Sequence, residues 1–158
     1  MAAKPDYKKI EKEAKKIAEE ILKQQNFKVE IKVKPEENLI VVNISGEDLG
    51  LLIGHRGEHL ESLQLVIGLI LNKRMKLDSR IPVLVDVGNW RKQREEALEE
   101  LLEKHLYELK KDKKLVELPP MPPAQRRTIH VLVKNHKDLT SESKGEEPYR
   151  HVIIKKAS

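Results

Sequence analysis

The sequence has 158 residues, of which 36% are charged and 39% hydrophobic, and its formal net charge is +5 at pH 7. This length suits one domain or two small ones, and the scarcity of aromatic residues leaves Leu, Ile and Val to build each core. No apolar segment reaches the roughly 18 uncharged residues of a membrane span, and the N-terminus lacks the apolar run of a secretory signal. The absence of cysteine excludes disulfides and thiolate metal sites. It fits a reducing cytoplasm and would also fit a thermally hardened or engineered sequence. We expect a cytoplasmic protein without membrane insertion.

Positive charge is concentrated in the C-terminal quarter. Residues 119–158 hold eight Lys and Arg against four Asp and Glu, which gives this segment +4 of the net charge of +5. A localised basic field is expected of a protein that meets a polyanion, although ordinary solvated surfaces also carry surpluses of this size. Charge alone therefore leaves nucleic acid as one candidate partner among others.

Hydrophobic periodicity in the first half of the chain predicts helix, strand, strand, helix, helix and strand. These elements are predicted over residues 6–25, 27–34, 39–44, 45–53, 58–75 and 81–87. In the second half the pattern predicts a long helix, a short strand, a helix and a last strand, over residues 89–114, 115–118, 124–136 and 149–155. The polar segment 137–148 is predicted to be a loop. We expect two small α+β domains, residues 1–88 and 89–158, joined through the helix that carries Trp90.

The tetrapeptide Gly54-His55-Arg56-Gly57 lies between the two predicted helices of the first half. Glycine permits positive φ and a close approach of a phosphate backbone, and the second helix presents unpaired N–H groups and the positive end of its dipole to the loop. His55 and Arg56 add side-chain donors. The loop is therefore a candidate phosphate site, although a bare Gly-x-x-Gly is also compatible with a helix C-cap followed by an ordinary loop glycine.

Arg126 and His130 form a second candidate site on the helix predicted after the prolines. They lie one helical turn apart on one face, while Ile129, Leu132 and Val133 point to the core. A guanidinium and an imidazole side by side can hold a phosphate with several donors. The alternative is an exposed arginine beside an unrelated surface histidine.

The Gly-x-x-Gly loop in its α-β-β-α-α-β setting resembles the type II, or bacterial-type, KH domain, whose loop clamps four nucleotides of a single strand. This resemblance implies a groove between the loop, the flanking helices and an edge strand, with bases resting on aliphatic surface. The segments P-P-M-P-P-A-Q-R-R-T-I-H and S-K-G-E-E-P-Y-R-H-V-I-I resemble the R-3-H domain, a second binder of single-stranded nucleic acid.

The order of these parts is similar to that in the Jag, or SpoIIIJ-associated, proteins of bacteria. The likeness also includes G-L-L-I-G-H-R-G-E-H-L-E-S-L-Q and V-D-V-G-N-W-R-K-Q-R-E, and it covers nearly everything from about residue 27 onward. Many family members carry an extra N-terminal domain before the KH unit. Only the predicted helix over 6–25 precedes it in this sequence, so roles of that domain, including any membrane-linked partner, are not carried over.

The resemblance implies single-stranded RNA binding in post-transcriptional regulation, with no catalytic step, metal or cofactor. Single-stranded DNA is the alternative ligand, and a homodimer or a small KH-domain protein partner is left open. The implied nucleic-acid-binding residues are Gly54, His55, Arg56, Gly57, Arg126, His130 and Arg150.

Three other interpretations compete with RNA binding. Residues 55–59, H-R-G-E-H, match the H-x-x-E-H pattern of a zinc protease class, but Gly57 at a helix start opposes the geometry that such a site needs. A ribonuclease would use His130 as general acid or base and Arg126 to stabilise phosphate charge, although no clear carboxylate cluster accompanies them. A protein–protein adaptor would dock through the helix over 90–112, whose leucines are more simply explained as core.

Overall fold

The chain divides into two units in the computed structural model, which describes residues 6–76, 79–111 and 113–157. The units are Met1–Arg91 and Lys92–Ser158, so the division falls after Arg91, whereas the sequence predicted it after Gly88. The difference arises because Trp90 and Arg91 pack within the first unit. The Trp90 ring lies against Gly57, and the Arg91 side chain donates to the carbonyl oxygen of Val85.

The first unit has the predicted element order α-β-β-α-α-β. Its elements are α1 (Tyr7–Lys23), β1 (Val29–Glu36), β2 (Leu39–Gly46), α2 (Gly50–Ile53), α3 (Glu58–Met75) and β3 (Val83–Val87). The sheet order is β1-β2-β3, and β2 pairs antiparallel with β1 and parallel with β3. A parallel pair needs a crossover connection, which α2 and α3 provide, and this arrangement leaves β3 at the edge of the sheet.

Apolar residues from α1, the sheet and α3 form the core of the first unit. The N-terminus of α1 is capped by Asp6, whose side chain accepts from the backbone N–H of Lys9. The helix buries a stripe of apolar residues, Ile10, Ala14, Ile17, Ala18 and Leu22, and Ile21 beside it is partly buried. Burial of this stripe, more than helix propensity, holds so charged a helix in place.

The second unit contains most of the long helix and a second sheet. Its elements are α4 (Trp90–Lys111, which begins in the first unit), β4 (Leu115–Glu117), α5 (Pro123–Val133), β5 (Leu139–Lys144) and β6 (His151–Lys156). The sheet order is β4-β6-β5, with both pairs antiparallel. The α4 leucines pack in the core with Ile129 and Ile154, as the simpler interpretation of that helix predicted. Among the described residues, no helix is both long and apolar enough to cross a membrane.

The prediction of a loop over 137–148 was wrong, because β5 occupies the middle of this segment. This strand is polar, and Leu139, Ser141 and Ser143 alternate in burial with exposed neighbours. Period-2 hydrophobicity was the signal used for strands, and an edge strand that presents serine hydroxyls to a helix does not show it. The mixed α+β class of both units is nevertheless the predicted one.

Candidate nucleic-acid interface

The Gly-x-x-Gly loop is a single 3₁₀ turn, His55–Gly57, between α2 and α3. Three of its four residues have positive φ: 70° at Gly54, 53° at Arg56 and 91° at Gly57. Glycine reaches this region without strain, whereas a side chain at Arg56 makes it an uncommon conformation. The positive φ values that the sequence predicted for the two glycines are therefore present.

The same glycines are also needed for packing inside the protein. A Cβ on Gly54 would overlap the ring of His59, whose Nδ1 lies 2.7 Å from the carbonyl oxygen of Leu51. A Cβ on Gly57 would overlap the ring of Trp90. Close approach of a phosphate backbone at these glycines stays a prediction, because the Cβ positions are filled by the protein's own rings.

The loop opens onto the N-terminus of α3. Gly57 occupies the N-cap position, and no side chain caps the helix. The first N–H groups of this 18-residue helix are thus available to an anion at the positive end of the dipole. His55 is exposed beside them, while Glu58 and Glu61 in the first turn are acidic.

A groove runs along α3 from this N-terminus. Its opposite wall is the segment that leads into the edge strand β3. The lining residues are Glu61, Gln64, Leu65, Gly68, Leu69, Asn72, Arg80, Ile81, Pro82 and Val83. The helical part, from Glu61 to Asn72, is about 16 Å long at 1.5 Å per residue.

Exposed leucines make the groove apolar. Leu65 is 62% exposed and Leu69 is 53% exposed, and they lie one turn apart on α3 with Gly68 beside them. None of the groove residues was predicted individually from the sequence. A signal was present, because Leu65 and Leu69 recur at i and i+4 away from the buried face that contains Leu60 and Ile67.

Side chains tie both walls of the groove together. The Gln64 side-chain oxygen accepts from the backbone N–H of Val85 at 3.0 Å and from Arg91 Nη2 at 2.9 Å. Arg91 Nε donates to the Val85 carbonyl oxygen at 2.9 Å. Asn72 exchanges two bonds, of 2.8 and 2.9 Å, with the backbone of Ile81. These bonds satisfy some of the backbone N–H and C=O groups on the open edge of β3, and they fix the distance between β3 and α3.

In the second unit, Arg126 is largely buried and is bonded to other parts of the protein. Its side chain is 9% exposed, and Nη1 donates to the carbonyl oxygen of Met121 at 2.8 Å. Its Nη2 lies 2.7 Å from Glu147 Oε1, and the Glu147 side chain is 55% exposed. An acidic group is therefore already bound at the position where the sequence predicted a phosphate.

His130 faces two serine hydroxyls of β5. Its Nδ1 lies 2.7 Å from Ser141 Oγ, and its Nε2 lies 2.9 Å from Ser143 Oγ. Burial lowers the pKa of His130, and the positive charges of Arg126 and Lys134 lower this pKa further. The neutral ring thus predominates at pH 7, with one serine donating to it and the other accepting from it. Arg126 and His130 lie one turn apart on α5, as their spacing in the sequence predicted.

Arg150 lies in the connection between β5 and β6, beside the residues that bind Arg126. Its Nη1 donates to the carbonyl oxygen of Gly145 at 3.1 Å, and its own carbonyl oxygen accepts from the Met121 N–H at 3.2 Å. Met121 thus contacts both Arg126 and Arg150. The structure places the three predicted residues of the second site in one region of this unit.

The H-R-G-E-H sequence does not form a metal site in the described parts of the chain. In residues 6–76, 79–111 and 113–157, no group of three or more His, Cys, Asp or Glu side chains is arranged to hold a metal ion. His59 instead packs on Gly54 and bonds to the Leu51 carbonyl oxygen.

Comparisons with known proteins match each unit separately. The family model described as KhpA/KhpB, KH domain, matches residues 11–83, and the R-3-H domain model matches residues 95–156. The chain is 40% identical to RNA-binding protein KhpB of Clostridium symbiosum over 147 residues, which cover 92% of this chain and 65% of the relative. It is 34% identical to the protein of that name in Bacillus subtilis, over 80% of this chain and 61% of the relative.

A third relative, RNA-binding protein KhpB of Lactiplantibacillus plantarum, is 28% identical over 85% of this chain and 41% of its own length. The chain thus spans less than two thirds of the length of these curated relatives. The two matched domains occur in the order that the sequence predicted. With a KH unit built around a Gly-x-x-Gly loop and an R-3-H unit carrying Arg126 and His130, this chain belongs to the KhpB, or Jag, family.

Proposed function

We propose that this protein binds single-stranded RNA through both units, without a catalytic step. The observation that carries the proposal is the Gly-x-x-Gly loop, which joins an uncapped helix N-terminus to an aliphatic groove beside an edge strand. Three relatives named RNA-binding protein KhpB support RNA as the ligand.

The first contact would be with the phosphate backbone at the loop. A phosphate at the N-terminus of α3 would accept from main-chain N–H groups and gain from the helix dipole. His55 and Arg56 would add donors on the outer side of the same turn, and Arg80 lies in the groove lining on the opposite wall. Glu61 would oppose the phosphate and limit the affinity.

Bases would lie in the groove. Leu65 and Leu69 provide an apolar surface for unstacked bases, and Gly68 leaves the space between the helix and Val83 open. KH domains hold about four nucleotides by their backbone, and the length of this groove suits such a short segment. The groove contains no aromatic residue, so base binding here depends on aliphatic contact and shape.

The R-3-H unit would supply a second phosphate site at Arg126, His130 and Arg150, where the N–H of the neutral His130 ring would exchange its serine partner for a phosphate oxygen. A phosphate oxygen would replace the exposed Glu147 carboxylate on the buried Arg126 guanidinium, which exchanges one charge-assisted bond for another. This exchange predicts modest affinity at the second site, because the ion pair with Glu147 must break first.

The setting of the activity is part of the same proposal. We place the protein in the cytoplasm, where it would act in post-transcriptional regulation. Single-stranded DNA is the competing ligand, and assembly with a second copy or with a small KH-domain protein stays a prediction.

Reversing the charge of the loop tests the first site. We expect His55→Asp with Arg56→Asp to lower the affinity for a labelled single-stranded RNA about tenfold or more at low salt, because the new carboxylates repel phosphate. The fold should persist, since the loop is exposed at His55 and Asp is among the residues that tolerate the positive φ at Arg56. Fluorescence anisotropy gives the affinity and thermal unfolding checks the fold.

The control is Lys32→Glu with Lys34→Glu on β1, at the sheet edge opposite β3. This control changes the net charge by at least as much as the loop variant does, and it should weaken RNA binding far less than the loop variant. Equal affinities for the loop variant and the wild type would contradict the KH site. RNA cleavage by the wild type, lost in His130→Ala, would instead favour the ribonuclease.

A further inference from the structure

The connection between β5 and β6 carries the most exposed large apolar side chain among the described residues. Tyr149 is 74% exposed in this six-residue segment, residues 145–150, which we call the 145–150 turn. Aromatic residues are scarce in this protein, at 3% of the sequence. An exposed aromatic ring gains little from core packing, and it presents a planar apolar face that a ligand can cover.

Bonds on several sides hold the turn. The Tyr149 N–H donates to the Glu146 carbonyl oxygen at 2.8 Å, and Gly145 has a positive φ of 87°. In the free protein Glu147 is also bound by the buried Arg126, a bond that the proposed phosphate would replace. Arg150 closes the turn by donating to the Gly145 carbonyl oxygen. The backbone that carries the Tyr149 ring is therefore fixed before any ligand binds.

Cationic residues lie close to Tyr149 along the chain and at the neighbouring ends of β5 and β6. Lys144 is exposed at the end of β5, where it pairs in register with His151 of β6, and Arg150 follows Tyr149 directly. Ser143, which contacts the His130 ring, is two residues from the start of the turn, or about 7 Å along a strand. A nucleotide whose phosphate lay near His130 would have its base within reach of the turn.

The other exposed tyrosine of the second unit differs in one respect. Tyr107 on α4 is 60% exposed, but the Lys111 ammonium lies 4.5 Å from its ring centroid. Among the described residues, no such cation or ring contact exists for Tyr149. Its face is open to a planar ligand.

We propose that Tyr149 is a stacking platform for one unstacked nucleobase of the RNA. This inference rests on the proposed RNA binding and deepens it. The KH groove would hold bases on leucines, whereas the R-3-H unit would hold one on an aromatic ring beside its phosphate site. Stacking tolerates every base, since each has a π face, so Tyr149 would add affinity without sequence preference.

Two probes test this role, a fluorescent single-stranded oligoadenylate and inorganic polyphosphate, which has no bases. We expect Tyr149→Ala and Tyr149→Leu to weaken oligoadenylate binding about tenfold, as for one stacked base, and to leave polyphosphate binding unchanged. Tyr149→Phe should retain wild-type affinity because the ring remains. Tyr107→Ala is the matched control and should bind both probes like the wild type.

The measurements use the full chain, both as the wild type and in the His55→Asp/Arg56→Asp background, where the second unit carries more of the binding. If Tyr149→Ala left oligoadenylate affinity equal to that of its parent protein in both backgrounds, the stacking role would be overturned. An equal loss of polyphosphate affinity would overturn it too. If the wild-type chain bound no RNA at all, the proposed function itself would fail. Thermal unfolding should be nearly unchanged in the Tyr149 variants, since the side chain is exposed.

Discussion

Single residues decide the shape of the Gly-x-x-Gly loop. Gly54 and Gly57 combine positive φ with the direct approach of an aromatic or imidazole ring, from His59 and Trp90 respectively. Either requirement alone would favour glycine. Together they show that the loop is held by packing against these rings, while His55 is exposed and Arg56 is half-buried.

Replacing Gly57 by Ala should destabilise the first unit. The new methyl group would overlap the Trp90 ring and stand at a φ of 91°, so we expect a loss of about 2 kcal/mol in the free energy of unfolding. Urea unfolding followed by circular dichroism measures it. Gly50→Ala is the matched control, because a methyl group there meets no atom within 4 Å and should change stability by less than about 0.5 kcal/mol. Similar stabilities for the two variants would contradict the close contact between Gly57 and the Trp90 ring.

Helix α3 is the element that connects fold and proposed function. One face buries Leu60, Ile67 and Leu71, and the opposite side exposes Leu65 and Leu69 to the groove. A surface helix with apolar residues on both sides is unusual unless its outer face binds something. The N-terminus of the same helix faces the loop, so α3 would contact phosphate at its start and bases along its length.

Gly68→Ala should separate stability from binding on this helix. Alanine is favoured over glycine in a helix interior by about 0.5–1 kcal/mol, and the new Cβ would make an ordinary 3.8 Å contact with Val83. The variant should therefore be more stable, while the methyl group narrows the groove and weakens RNA binding by about 1 kcal/mol, or roughly fivefold. Thermal unfolding and anisotropy measure the two effects. Val66→Ala, outside the groove lining, should leave binding unchanged, and tighter RNA binding by Gly68→Ala would contradict the groove.

At the scale of the whole molecule, the chain has two cores, each with its own candidate phosphate site. The first core gathers around β2, and the second gathers around α4 and β6. Each core supports its own site, so damage to one site need not unfold the other unit. Linked binding units also raise the affinity for a long strand that can engage both.

Salt dependence should report how many units are engaged. With about four phosphates neutralised per unit and about −0.7 per contact, we expect a log–log slope near −3 for each unit and near −6 for a long strand bound by both. The His55→Asp/Arg56→Asp variant should return the slope on the long strand to about −3. Anisotropy titrations between 50 and 300 mM salt, roughly, cover the useful range. A slope near zero, or equal slopes for both proteins, would contradict phosphate contacts at the first loop.

The sequence was sufficient to predict the order of most elements and the α+β class, because buried faces impose their period on the chain. It also placed Arg126 and His130 on one helical face, as i and i+4 spacing requires. It missed β5, whose polar alternation carries no hydrophobic signal, and it did not single out Leu65, Leu69 or Tyr149, whose exposure depends on what packs around them.

Which side chains meet depends on the packing of the elements. The rings beneath Gly54 and Gly57, the Glu147 carboxylate on Arg126 and the serines around His130 all come from residues that are distant in sequence or on another element. No local pattern encodes such pairs, because they depend on how strands and helices pack. The sequence thus predicted where phosphate binding is to be expected, and the fold determines which side chains can contact a phosphate there.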